Sequence, residues 1–186
     1  MSEAGRQHVL TRLFQRLYGE PTVRNDLRGE LVEEIVALAL EPDWQLCGGD
    51  WAACDLLHVA SGARMQVKQS AARQSWTKDG DPAPSPRFSI AETAGRWDGS
   101  RWVPGVGRNA EFYVFAWHPV SDEHCDHADV SQWAFYVVEE QALPKQKSLG
   151  LAQVAKLASA VPWTSLGAQV SSLLEAKVHN SAEEPL

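Results

Sequence analysis

The sequence predicts an α/β fold in which a mixed β-sheet is flanked by helices. Helical periodicity fills residues 5–18 and 28–40, and returns at about 148–158 and 165–178. Between these pairs lie short runs rich in aromatic and β-branched residues, separated by turn residues. The order is therefore helix, helix, sheet, helix, helix. A chain of 186 residues with 44% hydrophobic and 22% charged side chains suits one domain with a sizeable core. That domain is expected over 1–180, with a frayed tail over 181–186.

The first helix rests on Val9, Leu10, Leu13, Phe14 and Leu17. In the second, "RGELVEEIVALAL", Leu31, Val32, Ile35, Val36, Leu38 and Ala39 cover one broad arc, with Glu30, Glu33 and Glu34 opposite. Pro42 ends it. "DWQLC" is a short strand, and "CDLLHVA", "SG", "ARMQVKQSA" read as strand, two-residue turn, strand. Residues 79–86, with three prolines and a glycine, form a loop. "RFSIA" is a strand, and "RWDGSRW" a small projecting hairpin. "EFYVFAWHPV" and "SQWAFYVVEE" carry the two richest strand signals, joined by the polar loop "SDEHCDHAD".

The net charge of −7 argues against a protein that coats nucleic acid nonspecifically. Its distribution is uneven: residues 64–108 carry eight basic and four acidic side chains, whereas both flanking regions are acidic. A locally positive middle can attract a polyanion, although chance can also produce it. Cys47, Cys54 and Cys125 form no CxxC pair, which suits a reduced, cytoplasmic setting. No run approaches a membrane span, and the first residues lack the apolar core of a secretory signal.

One face of the "ARMQVKQSA" strand is unusual. Side chains two apart share a side, so Gln66 and Lys68 project together while Met65 and Val67 point away. With Ser61-Gly62 as the turn, Asp55 lies opposite Lys68 and Leu57 opposite Gln66. A carboxylate, an amide and an ammonium then converge. Such a patch can serve a hard cation and a phosphate: Asp55 and the Gln66 carbonyl oxygen as ligands, an acid of the Glu30–Glu34 helix completing the set, and Lys68 serving the attacking water. Spacing alone favours a plainer reading, a cross-strand ion pair of Asp55 and Lys68 worth at most about 1 kcal/mol.

In order and spacing, "GELVEEIVALAL", "DL", "MQVKQSAARQSW", "RFSI", "FYVFAW" and "SQWAFYVV" resemble a group of poorly characterised bacterial members of the PD-(D/E)xK nuclease superfamily. The resemblance spans about residues 28–138 and implies a restriction-endonuclease-like fold. It implies a Mg²⁺- or Mn²⁺-dependent endonuclease acting on DNA, with Glu33 as the helix acid, Asp55 as the metal-binding aspartate, Lys68 as the catalytic lysine and Gln74 as a glutamine beside the site. Gln66 departs from the pattern, which has an acid there. Mrr-type restriction endonucleases are similar in using Q-x-K. The departure keeps open a weak or inactive nuclease-fold module that binds nucleic acid or a protein. Sequence-specific cutters are often dimers, and either a homodimer or a protein partner fits.

Arg96, Trp97, Arg101 and Trp102 on the hairpin could stack on bases or clamp a backbone, or simply stabilise the hairpin. Arg64, Arg73, Lys78, Arg87 and Arg108 are either phosphate contacts or a solvated face. His118, His124, Cys125, Asp126, His127 and Asp129 crowd one loop, yet their spacing matches no zinc module. His58 is expected to pack away from Asp55. No GxxxxGK[ST], GxGxxG or G-x-S-x-G stretch supports nucleotide-triphosphate hydrolysis or serine esterase chemistry.

Overall fold

The computed structural model describes residues 3–47, 52–78, 80–98 and 100–182. Helices α1 (Glu3–Tyr18) and α2 (Asn25–Leu40) precede strands β1 (Trp44–Leu46), β2 (Leu56–His58) and β3 (Arg64–Ala71). Then come β4 (Arg87–Ser89), β5 (Thr93–Asp98), β6 (Arg101–Gly107), β7 (Phe112–His118), β8 (Ala134–Glu139) and β9 (Ser148–Gly150), before α3 (Leu151–Leu157) and α4 (Trp163–Ala182). The helix–sheet–helix order is the one expected. The main sheet runs β1-β2-β3-β7-β8, and it is mixed because β3 and β7 pair in parallel while the other neighbours are antiparallel.

Strand alternation divides the core in two. Phe112, Val114 and Ala116 of β7 join Met65 and Val67 of β3 against Val32, Ile35 and Val36 of α2 and Leu166 and Val170 of α4. Tyr113 and Phe115 face the other way and pack with Phe88, Ile90, Tyr136, Val138, Leu149 and Val154. Burial on both faces explains why β7 and β8 read as nearly continuous apolar runs. Helices α2 and α4 approach closely: a Cβ on Gly167 would stand 2.9 Å from the Ala39 carbonyl oxygen.

Several local expectations differ. The β2–β3 connection is not a two-residue Ser61-Gly62 turn, because the strands pair Leu56 with Met65 and Leu57 with Arg64. Gly62 does bend the chain, with φ +70° and its N–H donating to the His58 carbonyl. Leu38 is exposed rather than part of the buried arc of α2. Strand β9, which pairs with β4, lies where a helix start was expected, so α3 begins later. Helix α4 runs on to Ala182, and the remainder of the expected tail lies outside the described residues. Helix α1 buries no residue, and its stripe of Val9, Leu10, Leu13 and Phe14 is exposed. No helix among the described residues is long and apolar enough to cross a membrane.

Candidate active site at the edge of the main sheet

Strand β2 is short, and Asp55 stands just before it, at the edge of β3. The Asp55 N–H donates to the Met65 carbonyl at 2.9 Å, continuing the β2–β3 ladder. Its carboxylate then takes over the edge: Oδ2 accepts from the Val67 N–H at 2.6 Å, and Oδ1 accepts from Gln66 Nε2 at 3.0 Å. Lys68 Nζ donates to Gln66 Oε1 at 2.5 Å and lies 3.7 Å from Asp55 Oδ2. Asp55, Gln66 and Lys68 thus form one polar chain, half-buried throughout.

The register expected from the sequence is off by two residues, so Asp55 stands opposite Gln66 rather than Lys68. Convergence survives because a slip of two leaves every side chain on its original face, whereas a slip of one reverses them all. On this face β7 is apolar at Tyr113 and Phe115, while the neighbouring β3 positions are Gln66 and Lys68.

Glu33 reaches the same region from α2. Burial, the Asp55 charge and the Glu30 charge push its carboxyl up to about 7, with Lys68 pulling the other way. The solvated acidic arc read from the helix is therefore not uniform: Glu30 and Glu34 are exposed, Glu33 half-buried.

Gln74 is occupied elsewhere. Its Oε1 accepts from Arg28 Nη2 at 3.0 Å, and its Nε2 donates to the Ala71 carbonyl at 2.6 Å. Arg28 is 1% exposed and also donates to Gln69 Oε1 and Asn25 Oδ1, each at 2.7 Å. Burial pulls its pKa down to about 10. This knot of three amide oxygens around a buried guanidinium ties the start of α2 to the end of β3. Sequence reading missed Arg28; the only signal was an arginine one turn before an apolar helical arc.

Among solved structures, that of the bacterial homing endonuclease I-Ssp6803I is similar at 17% identity and a TM-score of 0.42, covering 87% of this chain and 99% of that one. No family model and no curated protein matches the chain. A TM-score that low carries no argument.

The basic residues divide in two. Arg64 is committed to Glu111, with Nη2–Oε1 at 2.6 Å, and Arg108 to Glu140 and to the carbonyls of Ile90 and Pro144. Arg73 Nη1 donates to the Ser121 carbonyl, and Arg87 Nη1 to Ser148 Oγ. Lys78 is exposed on the proline-rich loop. Arg96, Trp97, Arg101 and Trp102 do sit on the expected hairpin of β5 and β6, whose tip residue Gly99 lies outside the described residues. A cavity of about 410 Å³ joins this hairpin to the Gln66–Lys68 face. Cys47 and Cys54 Sγ atoms lie 3.2 Å apart beside Asp55, both reduced, with burial pushing the Cys54 thiol up to about 12. His58 packs on the Trp44 ring, as expected.

In the polar loop, His118, Cys125 and His127 are buried with their ligand atoms within 4.8 Å of one another. His124 and Asp129 stay outside this group. His127 Nδ1 accepts the Val23 N–H at 3.0 Å, so the neutral ring carries its proton on Nε2, the atom a metal would need. A ligating histidine ordinarily donates through its other nitrogen. The tautomer suits a neutral cluster, held by His127 N–H to Pro21 O and Trp133 Nε1–H to His127 O, although His127 Nε2 is itself buried with no hydrogen-bond partner among the described residues.

Two of these groups set opposite pH dependences. Burial, with Arg28 and His118 adding to it, pulls His127 down from 6.5 to about 4. The unfolded chain therefore holds the extra proton between about 4 and 6.5, and stability falls as pH drops through that window. Glu33 is raised from 4.5 to about 7, so the folded state holds the extra proton and stability falls as pH rises through that range. Urea unfolding in EDTA from pH 4.5 to 7.5 should give Glu33→Gln a steeper gain of stability with pH than the wild type. Parallel curves would refute the Glu33 assignment.

Proposed function

We propose that the protein is a divalent-metal-dependent nuclease of the restriction-endonuclease-like kind, hydrolysing phosphodiester bonds of DNA. One observation carries the reading: Asp55, Gln66 and Lys68 share a continuous polar chain, and Asp55 helps hold the Glu33 carboxyl near 7. Two carboxylates that repel each other form a donor set that a hard cation relieves. Asp55 and Glu33 would hold Mg²⁺ or Mn²⁺ through carboxylate oxygens, with the Gln66 carbonyl oxygen as a neutral third ligand. When bound, the ion supplies charge neutralisation at the phosphate and acidifies a water.

The chain's own groups do the rest. Lys68 orients the attacking water and offsets negative charge as it grows on the phosphate oxygens. Water oxygen bonds to phosphorus and gives up a proton to solvent, the bond to the leaving sugar oxygen breaks, and that oxygen takes up a proton from solvent. Gln66 keeps the Lys68 ammonium in register with Asp55. Gln74 acts at one remove, through Arg28, by steadying the helix that carries Glu33.

Supercoiled plasmid and single-stranded oligonucleotides incubated with Mg²⁺ or Mn²⁺ should be cut, and cutting should stop with EDTA or in Asp55→Ala. Cleavage that persists in Asp55→Ala, or no cleavage with either metal, would overturn the reading. Gln66 favours a second one, because an amide in place of an acid removes a charge from the metal set and lets the polar chain close on itself. That reading, a noncatalytic nucleic-acid-binding module, expects no cutting but DNA binding that weakens steeply with salt.

A further inference from the structure

We infer that the cavity between the β5–β6 hairpin and the Lys68 face receives one unpaired nucleobase, so that the substrate is DNA unpaired at the phosphodiester to be cut. The inference rests on the nuclease reading for the site it adjoins. At about 410 Å³ the cavity is far too small for a duplex and ample for a single nucleoside. One end is the candidate chemistry, Gln66 and Lys68; the other is Arg96, Trp97 and Trp102. A nucleotide spanning it would present its phosphate and its base to different walls.

The aromatic wall is preorganised. Trp97 and Trp102 are cross-strand partners with ring centroids 5.5 Å apart at 66°. Both rings remain substantially exposed, 36% and 45%, an apolar surface at the rim of a polar site. Trp102 lies so close over Gly95 that a Cβ there would meet its Cζ2 at 2.5 Å. Glycine at 95 is therefore what lets the indole lie against its own hairpin, and the contact fixes the ring before any ligand arrives. Rings held in place stack on any base face with little sequence preference.

Polar groups complete the wall. Asn109 Nδ2 donates to Thr93 Oγ1 at 3.0 Å and to the Gly95 carbonyl at 3.5 Å, which fixes the amide and offers Oδ1 to a base amino group. Arg96, also in the lining, has no carboxylate partner among the described residues and can reach a flanking phosphate. Arg108, in contrast, is already held by Glu140 and two carbonyls and serves as wall.

The test is binding in EDTA, read by anisotropy of a fluorescein-labelled 12-nucleotide single strand and of a blunt hairpin duplex of the same sequence. The single strand should bind at least tenfold more tightly. Trp102→Ala should weaken strand binding about 10- to 100-fold and leave duplex binding unchanged, while Trp102→Phe, which keeps a stacking face, should retain most of it. Equal affinity for strand and duplex, or a Trp102→Ala protein with unchanged circular dichroism and an undiminished strand preference, overturns the inference. Cleavage assays separate it from the nuclease reading. Cutting without strand preference sinks the base pocket alone; strand preference without cutting sinks the nuclease and leaves the pocket.

Discussion

Lys68→Met is expected to lower metal-dependent cleavage by about 10³-fold or more, the scale of losing a preorganised charge at a reacting phosphate, while leaving the fold intact. The two effects separate because of where the ammonium sits. Nζ bonds to Gln66 Oε1 and lies 3.7 Å from Asp55 Oδ2, with both ion-pair partners partly open to water. Such a pair contributes roughly 1 kcal/mol or less to stability, and methionine preserves the buried part of the stem. Lys68→Arg should also be slow, since a planar fork does not reproduce a compact ammonium held by one amide oxygen. Single-turnover cleavage beside a urea melt checks both halves. Cleavage within tenfold of wild type in Lys68→Met would remove lysine from the mechanism.

The largest effect on stability is expected at Arg28, remote from the reacting groups. Arg28→Ala should cost about 3–5 kcal/mol, because it breaks a buried hydrogen-bond network and leaves amide oxygens unpaired, and lower the melting temperature by roughly 6–20 °C for a chain this size. Burying a guanidinium without a carboxylate is costly, as its lowered pKa shows, so its removal could in principle be neutral. Magnitudes decide otherwise. Three hydrogen bonds from a charged donor are worth about 1.5–3 kcal/mol each, a gain that exceeds the cost of the buried Nη1, which finds no partner among the described residues. Alanine would also leave Gln69 and Gln74 oxygens without this donor and open a cavity under α2. Arg28→Lys should be destabilised too, because a single ammonium on a shorter fork cannot reproduce three bonds in three directions. A calorimetric shift under 2 °C for Arg28→Ala would show that the knot does not hold the helix.

How far the site could be read before the fold was known differs residue by residue. Gln66 and Lys68 were legible as a pair because strand periodicity is local: positions two apart share a face whatever the rest of the chain does. Asp55 was legible only up to parity. The register differs by two residues from the one a Ser61-Gly62 turn predicts, and the face is unchanged because two is even. Periodicity alone leaves Glu33 one of three acids on a solvated arc, and only the resemblance singles it out. Burial where α2 packs beside the sheet, and then the charges of Asp55 and Glu30, raise its carboxyl. Resemblance places Gln74 beside the reacting centre, and its side chain bonds to Arg28 and the Ala71 carbonyl.

The amino-acid order by itself determined the helix–sheet–helix plan, the alternation that puts glutamine and lysine on one side of β3, and the hairpin that carries two tryptophans and two arginines. These follow from dihedral preference and from periods of 2 and 3.6, which act within a few residues. Tertiary structure alone decided the parallel β3–β7 pairing, the second strand pair of β4 with β9, the commitment of Arg64 to Glu111, and the cavity that brings the tryptophans to Lys68. Each depends on contacts between segments tens of residues apart, where the choice of partner is set by which surfaces can be buried together and not by any pattern written along one segment.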